Sequence, residues 1–303
     1  MAHHDHDPEP GLTRRDFLRQ TGFAALAGLA GWRALEAAAP APFTAAKPLA
    51  TVVLVRDDKA LGAEGAVNAQ VVARMLNDGV RALTGKQDDA AAWSQLARAE
   101  DRFGIKFSRC GWMRVPTHQE VIDAVAAGLH LASVPKERIS VMDYGLKPTD
   151  CTALINVSSL KARPLTGFAA AIKNYINFDP KPEAFHDAGC QRLGEIWTRP
   201  EVKGKARLIV LDLLTPYFGT GPQIDPRYQA DYRGVLVATD PVAADTVALH
   251  LCQKLRDQHK KKPWPLSPPP LFLAAADKEY RLGTSDPAKI KLVWLGWEKG
   301  RLV

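Results

Sequence analysis

Short apolar runs rich in β-branched residues alternate, from residue 51 to residue 295, with segments whose hydrophobic residues recur at helical spacing. That alternation points to an α/β fold, because strands buried on both faces read as continuous apolar runs and parallel neighbours need helical crossovers. Residues 51–55 form the first run, and Val67, Val71, Met75, Val80 and Leu83 then repeat along one helix face until Gly85 stops them. Asp88 is placed to cap a short helix carrying Trp93 and Leu96, and residues 105–107 read as the next strand. Thr117-His118-Gln119-Glu120 reads as a capping box for a helix that buries Val121, Val125 and Leu129, which leaves His118 an exposed polar residue in the first turn. Runs at 139–142, 152–157, 208–211, 235–238 and 290–295 complete a mixed or largely parallel sheet flanked by helices, in a single domain. A chain with 46% hydrophobic and 24% charged residues can bury such a core.

The first 46 residues read as targeting rather than fold. Thr13-Arg14-Arg15-Asp16-Phe17-Leu18-Arg19 matches the twin-arginine export pattern, and residues 23–32 follow as an Ala/Gly-rich apolar run, too short for a membrane span of about 20 residues. Residues 1–46 are therefore expected to be a signal peptide and linker, cleaved between Ala37 and Ala46, and residues 47–303 an exported, periplasmic α/β domain with no stable membrane span. The export machinery is one expected partner. The net charge is +7, and residues 1–46 carry four arginines against five acidic residues, so the basicity belongs to the domain. Its basic residues are scattered rather than striped, which argues against nucleic acid and leaves an attraction for small anions. Cys110, Cys151, Cys190 and Cys252 lie far apart with no C-x-x-C pair; buried thiols or disulfides are open, and the local spacing of zinc or iron–sulfur ligands is missing.

The stretch from Cys151 to Cys190 carries the densest chemistry. Its strand at 152–157 is expected to exit into a loop holding Lys161 and Arg163, and a helix from Thr166, with Phe168, Ala169, Ile172 and Ile176 at helical spacing, would turn Lys173 and Asn174 toward a cleft. After the turn signals Asp179-Pro180 and Lys181-Pro182, His186 and Cys190 are four apart and share one face if that segment is helical. Three strand runs end in carboxylates, Asp143, Asp212 and Asp240, which would converge with Lys161 and Lys173 if the strands run parallel. Asp240 before Pro241 also reads as a helix N-cap, and Asp245, further on, as solvated. Asp212 has no capping role in view and is followed by a Gly/Pro loop, which makes it the better functional candidate.

No P-loop, dinucleotide glycine fingerprint, H-E-x-x-H or G-x-S-x-G stretch occurs, so the nucleotide, zincin and serine-hydrolase readings lack their motifs. The succession of Val52-Val53-Leu54-Val55-Arg56, Thr117-His118-Gln119-Glu120-Val121, Ala153-Leu154-Ile155-Asn156-Val157 with Leu160-Lys161, Leu165-Thr166-Gly167 with Ile172-Lys173-Asn174, Phe185-His186, Cys190, Asp212 and Thr239-Asp240-Pro241-Val242-Ala243 with Asp245 resembles the domain-of-unknown-function family 362. The likeness covers most of residues 50–296. It implies an α/β domain, cytoplasmic or exported, that in many relatives is joined to ferredoxin-type modules; this sequence carries no such module. Many relatives place a histidine two positions after the lysine matched by Lys161, where Arg163 stands here.

Taken together, the expectation is an exported protein of undefined activity in a redox-associated role. Lys161, Lys173, Asn174 and Asp212 are its candidate catalytic residues, Asp240 and Asp245 its candidate cofactor-binding residues, and His186 and Cys190 its candidate metal ligands, the last two expected within reach of Asp212 or Asp240. The cofactor stays open between a divalent metal and an iron–sulfur cluster, and a small anionic ligand and a redox partner protein are the expected associates. A non-catalytic periplasmic binding or accessory protein for a redox enzyme is the alternative.

Overall fold

The computed structural model describes residues 43, 49–109, 115–220 and 224–303. In chain order the elements are β1 (Ala50–Arg56), α1 (Ala69–Thr84), α2 (Asp89–Trp93), β2 (Phe103–Phe107), α3 (Gln119–Leu131), β3 (Ile139–Met142), β4 (Ala153–Arg163), β5 (Gly167–Ala169), α4 (Ala171–Asn174), α5 (Leu193–Thr198), β6 (Ala206–Tyr217), β7 (Gly234–Ala238), α6 (Pro241–Lys260), α7 (Leu271–Lys278) and β8 (Ile290–Gly296), with short 3-10 turns between some of them. The eight strands form one sheet in the order β3-β2-β4-β6-β7-β1-β8, and β5 lies beside β4. Only β5 and β7 run against the others. The mixed, largely parallel α/β sheet expected from the alternation is therefore what the chain adopts.

Strand parity divides the core into two layers. Val53, Val55, Ile105, Ile155, Val157, Val210 and Val237 pack against Val72 and Met75 of α1, Trp93 of α2, and Val121 and Val125 of α3. Val52, Leu54, Leu154, Ile209, Leu211 and Leu236 pack on the opposite face, against residues of α4, α5, α6 and α7. Burying both faces is why these strands carry no polar alternation. Local signals set the helix ends: Asn68 and Asp88 accept hydrogen bonds from the backbone N–H of Val71 and Ala91, and Gly85 closes α1 in the left-handed region at φ 70°. At Gly128 of α3 an added Cβ would overlap the ring of Trp93, so this glycine sets how closely α2 and α3 approach.

The 150–190 stretch departs from expectation. β4 runs eleven residues rather than six, so Lys161 and Arg163 stand on a strand, not in a loop. The helix expected from Thr166 is instead β5, which pairs Gly167, Phe168 and Ala169 with Arg163, Ala162 and Lys161, followed by the single turn α4. Phe168 and Ala169 fit a short strand as well as a helix face, and Gly167, at φ 75°, makes the hairpin turn that lets β4 capture them. His186 and Cys190 do not share a helix face: the segment breaks into 3-10 turns at Pro182–Phe185 and Ala188–Cys190, with φ 66° at Gly189 and 63° at Cys190. Toward the C-terminus, α6 continues through His259 and Lys260, and Lys261 closes it in the left-handed region at φ 54°. The N-terminal residues 1–42 and Cys110 lie outside the described residues.

Candidate functional site

β2 ends at Phe107 while β4 continues past Val157, the residue paired with Phe107. β4 gains a new neighbour, β5, only at Lys161, so a crevice opens beside Ser158, Ser159 and Leu160 at the carboxyl edge of the parallel strands. A cleft of about 350 Å³ occupies it. Ser108 and Asp143 enter it from the ends of β2 and β3, Ser158, Ser159, Lys161 and Arg163 from β4, and Thr166, Lys173, Asn174 and His186 from the segments that cover it. Of the eight sequence-derived candidates the cleft collects Lys161, Lys173, Asn174 and His186.

Its floor is a closed polar network. Lys106, 1% exposed and next to last in β2, donates from Nζ to Asp143 Oδ1 (2.9 Å), to the Phe107 carbonyl (2.7 Å) and to Asn174 Oδ1 (3.2 Å). Asn174 Nδ2 donates in turn to the Lys106 carbonyl (2.9 Å) and Asn156 Oδ1 (3.0 Å), and Asn156 Nδ2 to the Ala171 carbonyl (2.9 Å). Burial lowers the Lys106 pKa, and the Asp143 charge opposes that shift. Asp143 also accepts from the Arg109 N–H (2.9 Å), so its charge is matched from within the protein. Asn174 thus acts as floor, joining β2, β4 and α4, rather than as a group extended toward a substrate.

The walls are cationic and hydroxylic. Lys161 Nζ donates to Ser108 Oγ at 3.4 Å. Burial, then the charges of Lys173 and Arg163, push the His186 imidazole pKa down, which places both cations near that ring and favours its neutral form. Ser158 Oγ, Ser159 Oγ and Thr166 Oγ1 are buried and have no hydrogen-bond partner among the described residues. Three such hydroxyl groups line a cation-lined cleft, each able to donate and to accept.

The carboxylates do not converge as expected. Because β7 runs against its neighbours, Asp240 leaves the sheet at the edge opposite to Asp143 and Asp212. There it caps α6, accepting from the N–H groups of Val242 and Ala243 (both 2.8 Å) and from that of Thr284 (3.0 Å). Asp245 is fully buried rather than solvated; its oxygens accept from the N–H groups of Ala171 (2.7 Å) and Ile172 (3.0 Å) and tie α4 to α6. Burial pushes its pKa up to about 7, against the two backbone bonds. Both aspartates expected to bind a cofactor are therefore committed to the protein's own backbone. Cys190 is buried, its Sγ 3.7 Å from the Leu165 carbonyl, and it does not line the cleft with His186. Among the described residues no three His, Cys, Asp or Glu side chains are grouped to hold a metal ion, and Cys151, Cys190 and Cys252 are separate buried thiols.

Asp212 belongs to a different pair. It is 1% exposed and lies within β6 rather than at its end. Its Oδ2 accepts from the His118 N–H (2.8 Å) and meets His118 Nδ1 (2.7 Å), while Oδ1 accepts from the Leu214 N–H (3.0 Å). There is no capping box. α3 starts at Gln119 with His118 as N-cap, the Thr117 hydroxyl donates to the Ser108 carbonyl (3.0 Å), and the remote carboxylate of Asp212 serves the helix terminus instead. Nothing local marks His118, because its partner is 94 residues away. Lys106 did carry a signal: a lysine between Ile105 and Phe107, in a strand buried on both faces, requires a partner. So did Ser158-Ser159, two hydroxyls extending an apolar run.

These features define a three-layer α/β protein with a cation- and hydroxyl-lined cleft at the carboxyl edge of its sheet. A family model described as a domain of unknown function, DUF362, matches residues 68–250, and the chain belongs to that family. The matched region contains every cleft residue and both members of the His118–Asp212 pair. No curated protein and no solved structure matches the chain. No helix among the described residues is long and apolar enough to cross a membrane.

Proposed function

We propose that this protein binds an anionic small molecule, through a carboxylate or phosphate group, in the cleft beside Lys161, Arg163 and Lys173. The observation that carries this reading is the set of buried hydroxyls of Ser158, Ser159 and Thr166, which have no partner among the described residues. A buried polar group left unsatisfied costs about 1–3 kcal/mol, and native proteins tolerate few of them, so three lining one cleft favour a ligand whose oxygens complete them. The lysines would add point-charge attraction, and Arg163 a planar fork suited to two oxygens. Calorimetric titration with inorganic phosphate and with sulfate tests the reading. Saturable binding that weakens at least tenfold in Lys173→Ala and about fivefold in Thr166→Val is expected; absence of binding to the folded protein, or equal affinity in all three proteins, refutes it.

The export, cofactor and redox elements extend this proposal. Export rests on the Arg14-Arg15 pattern, and fusing residues 1–46 to a folded reporter, with and without Arg14→Lys and Arg15→Lys, tests it. A redox-associated metal or iron–sulfur cofactor rests on the family resemblance, and elemental analysis and absorption spectra of the protein from its own host test it. A non-catalytic accessory role is the second reading, favoured by exposed Val141, Met142, Tyr144 and Leu165 along β3 and the cleft mouth. Co-purification of a redox enzyme that is lost on Met142→Lys, with no small molecule bound in the cleft, would favour it over the first.

A further inference from the structure

His118 and Asp212 take no part in the anion site as described, yet the sheet places them next to it. On β4 and β6, Ser159 pairs with Asp212, and strand parity puts Ser159, Lys161 and Asp212 on the face that α3 covers. Two residues beyond Ser159, Lys161 pairs with Tyr217, five residues beyond Asp212, so β6 bulges between them. The bulge turns the Leu214 N–H back onto the Asp212 carboxylate. Thr117, adjacent to His118, is tied by two hydrogen bonds to the carbonyl of Ser108, whose hydroxyl meets Lys161 in the cleft.

The geometry within the pair is that of an oriented imidazole. Nδ1 faces a buried carboxylate at 2.7 Å and carries the proton, which leaves Nε2 with its lone pair when the ring is neutral. Nε2 lies 3.5 Å from Thr215 Oγ1, and the imidazole keeps 24% of its surface exposed. A histidine needed only to start α3 would use its backbone N–H, which Asp212 already accepts; the second bond, to the ring, serves orientation. The charged groups facing the ring among the described residues are Asp212 on β6, Glu120 on its own helix and Lys161 on β4. Burial pulls its pKa down, the hydrogen bond and charge of Asp212, with Glu120, outweigh that and raise it, and Lys161 opposes them.

Resting on the anion-binding reading, we propose that His118, oriented by Asp212, is the acid–base residue of the cleft and exchanges a proton at Nε2 with a phosphate monoester held at Lys161. Such a ligand suits the exchange because its second O–H ionises near pH 6, in the imidazole range. In the forward step the ligand O–H bond breaks, its electron pair stays on oxygen and the proton becomes Nε2–H. Asp212 keeps its hydrogen bond to Nδ1 of the imidazolium, and the reverse step returns the proton. The same geometry couples any anion at Lys161 to His118, because pairing the ammonium offsets the one charge among the described residues that opposes protonation of the ring.

Sulfate, which does not titrate near neutrality, isolates this coupling. Calorimetry on the full chain at pH 7, in two buffers of different ionisation heat, is expected to show net proton uptake on sulfate binding, and none in His118→Gln. Imidazole ¹⁵N NMR on the wild type, which needs no variant, is expected to show the His118 pKa rising by about one unit in saturating sulfate, equivalent to about tenfold tighter binding to the protonated form. Asp212→Asn is expected to lower that pKa while sulfate still binds. Sulfate binding without proton uptake and with an unmoved His118 pKa overturns the acid–base proposal and leaves the anion site standing. No binding of either sulfate or phosphate overturns both.

Discussion

Asp245 offers a quantitative test of how α4, a wall of the cleft, is held. Its carboxyl is fully buried in α6, and its pKa lies at about 7 against an ordinary 3.8 because burial outweighs the two backbone hydrogen bonds from Ala171 and Ile172. A group with a raised folded-state pKa contributes stability that is fully present below the unfolded value of 3.8 and is lost as pH rises through about 7. Between pH 5 and pH 8 that loss amounts to about 2.6 kcal/mol, at about 1.4 kcal/mol per pKa unit. In Asp245→Asn the side chain cannot ionise. At pH 5 the acid can still accept from both N–H groups, through its carbonyl and hydroxyl oxygens, whereas the amide accepts one and turns its NH2 toward the other, so the variant should be the less stable by about 1–3 kcal/mol. By pH 8 the wild type has lost its contribution, so the variant should have gained about 2.6 kcal/mol relative to it. His118, whose pKa is also raised, weakens both proteins alike as pH rises and cancels in the comparison. Urea unfolding at the two pH values, followed by far-ultraviolet circular dichroism, reads the difference as a midpoint shift of roughly 1 M. Parallel changes in both proteins from pH 5 to pH 8, to within about 0.5 kcal/mol, would refute the reasoning.

Two further outcomes follow from the packing. Arg256 donates to the carbonyls of Phe218 (2.6 Å), Trp264 (2.8 Å) and Pro265 (3.0 Å), with its guanidinium 3.7 Å from the Trp264 ring centroid; Arg256→Met should cost about 2–4 kcal/mol and speed proteolytic cleavage within residues 261–270, and unchanged cleavage would contradict its role as the anchor of that loop. Gly128→Ala should cost about 1–3 kcal/mol by thermal unfolding, because the new methyl overlaps the Trp93 ring; an unaltered melting temperature would mean that α2 yields without cost.

The fold and the cleft were legible to different degrees. Continuous apolar runs such as residues 51–55 and 208–211 exposed the strands, because burial on both faces leaves no room for polar alternation; Asp88 and Asp240 exposed helix starts, because each accepts from an N–H two or three residues on, and Gly85 exposed the end of α1, because it takes the left-handed turn there. The residue types of the cleft were also legible: Lys161, Lys173, Asn174 and His186 stood out in one stretch, and the structure lines one cavity with all four.

The direction of β7 was not legible, and it alone carried Asp240 to the far edge of the sheet. Strand direction is decided by which neighbours pair, and an apolar run of five residues satisfies either sense equally. Nor was the choice between helix and strand at Phe168 and Ala169, which pairing with the extended β4 settled. The two charged pairs beside the cleft, His118 with Asp212 and Lys106 with Asp143, join residues 94 and 37 positions apart. Composition, periodicity and capping are local and could be read directly from the sequence. Convergence of side chains at one sheet edge depends on strand order, direction and register, which are settled only when the whole sheet forms.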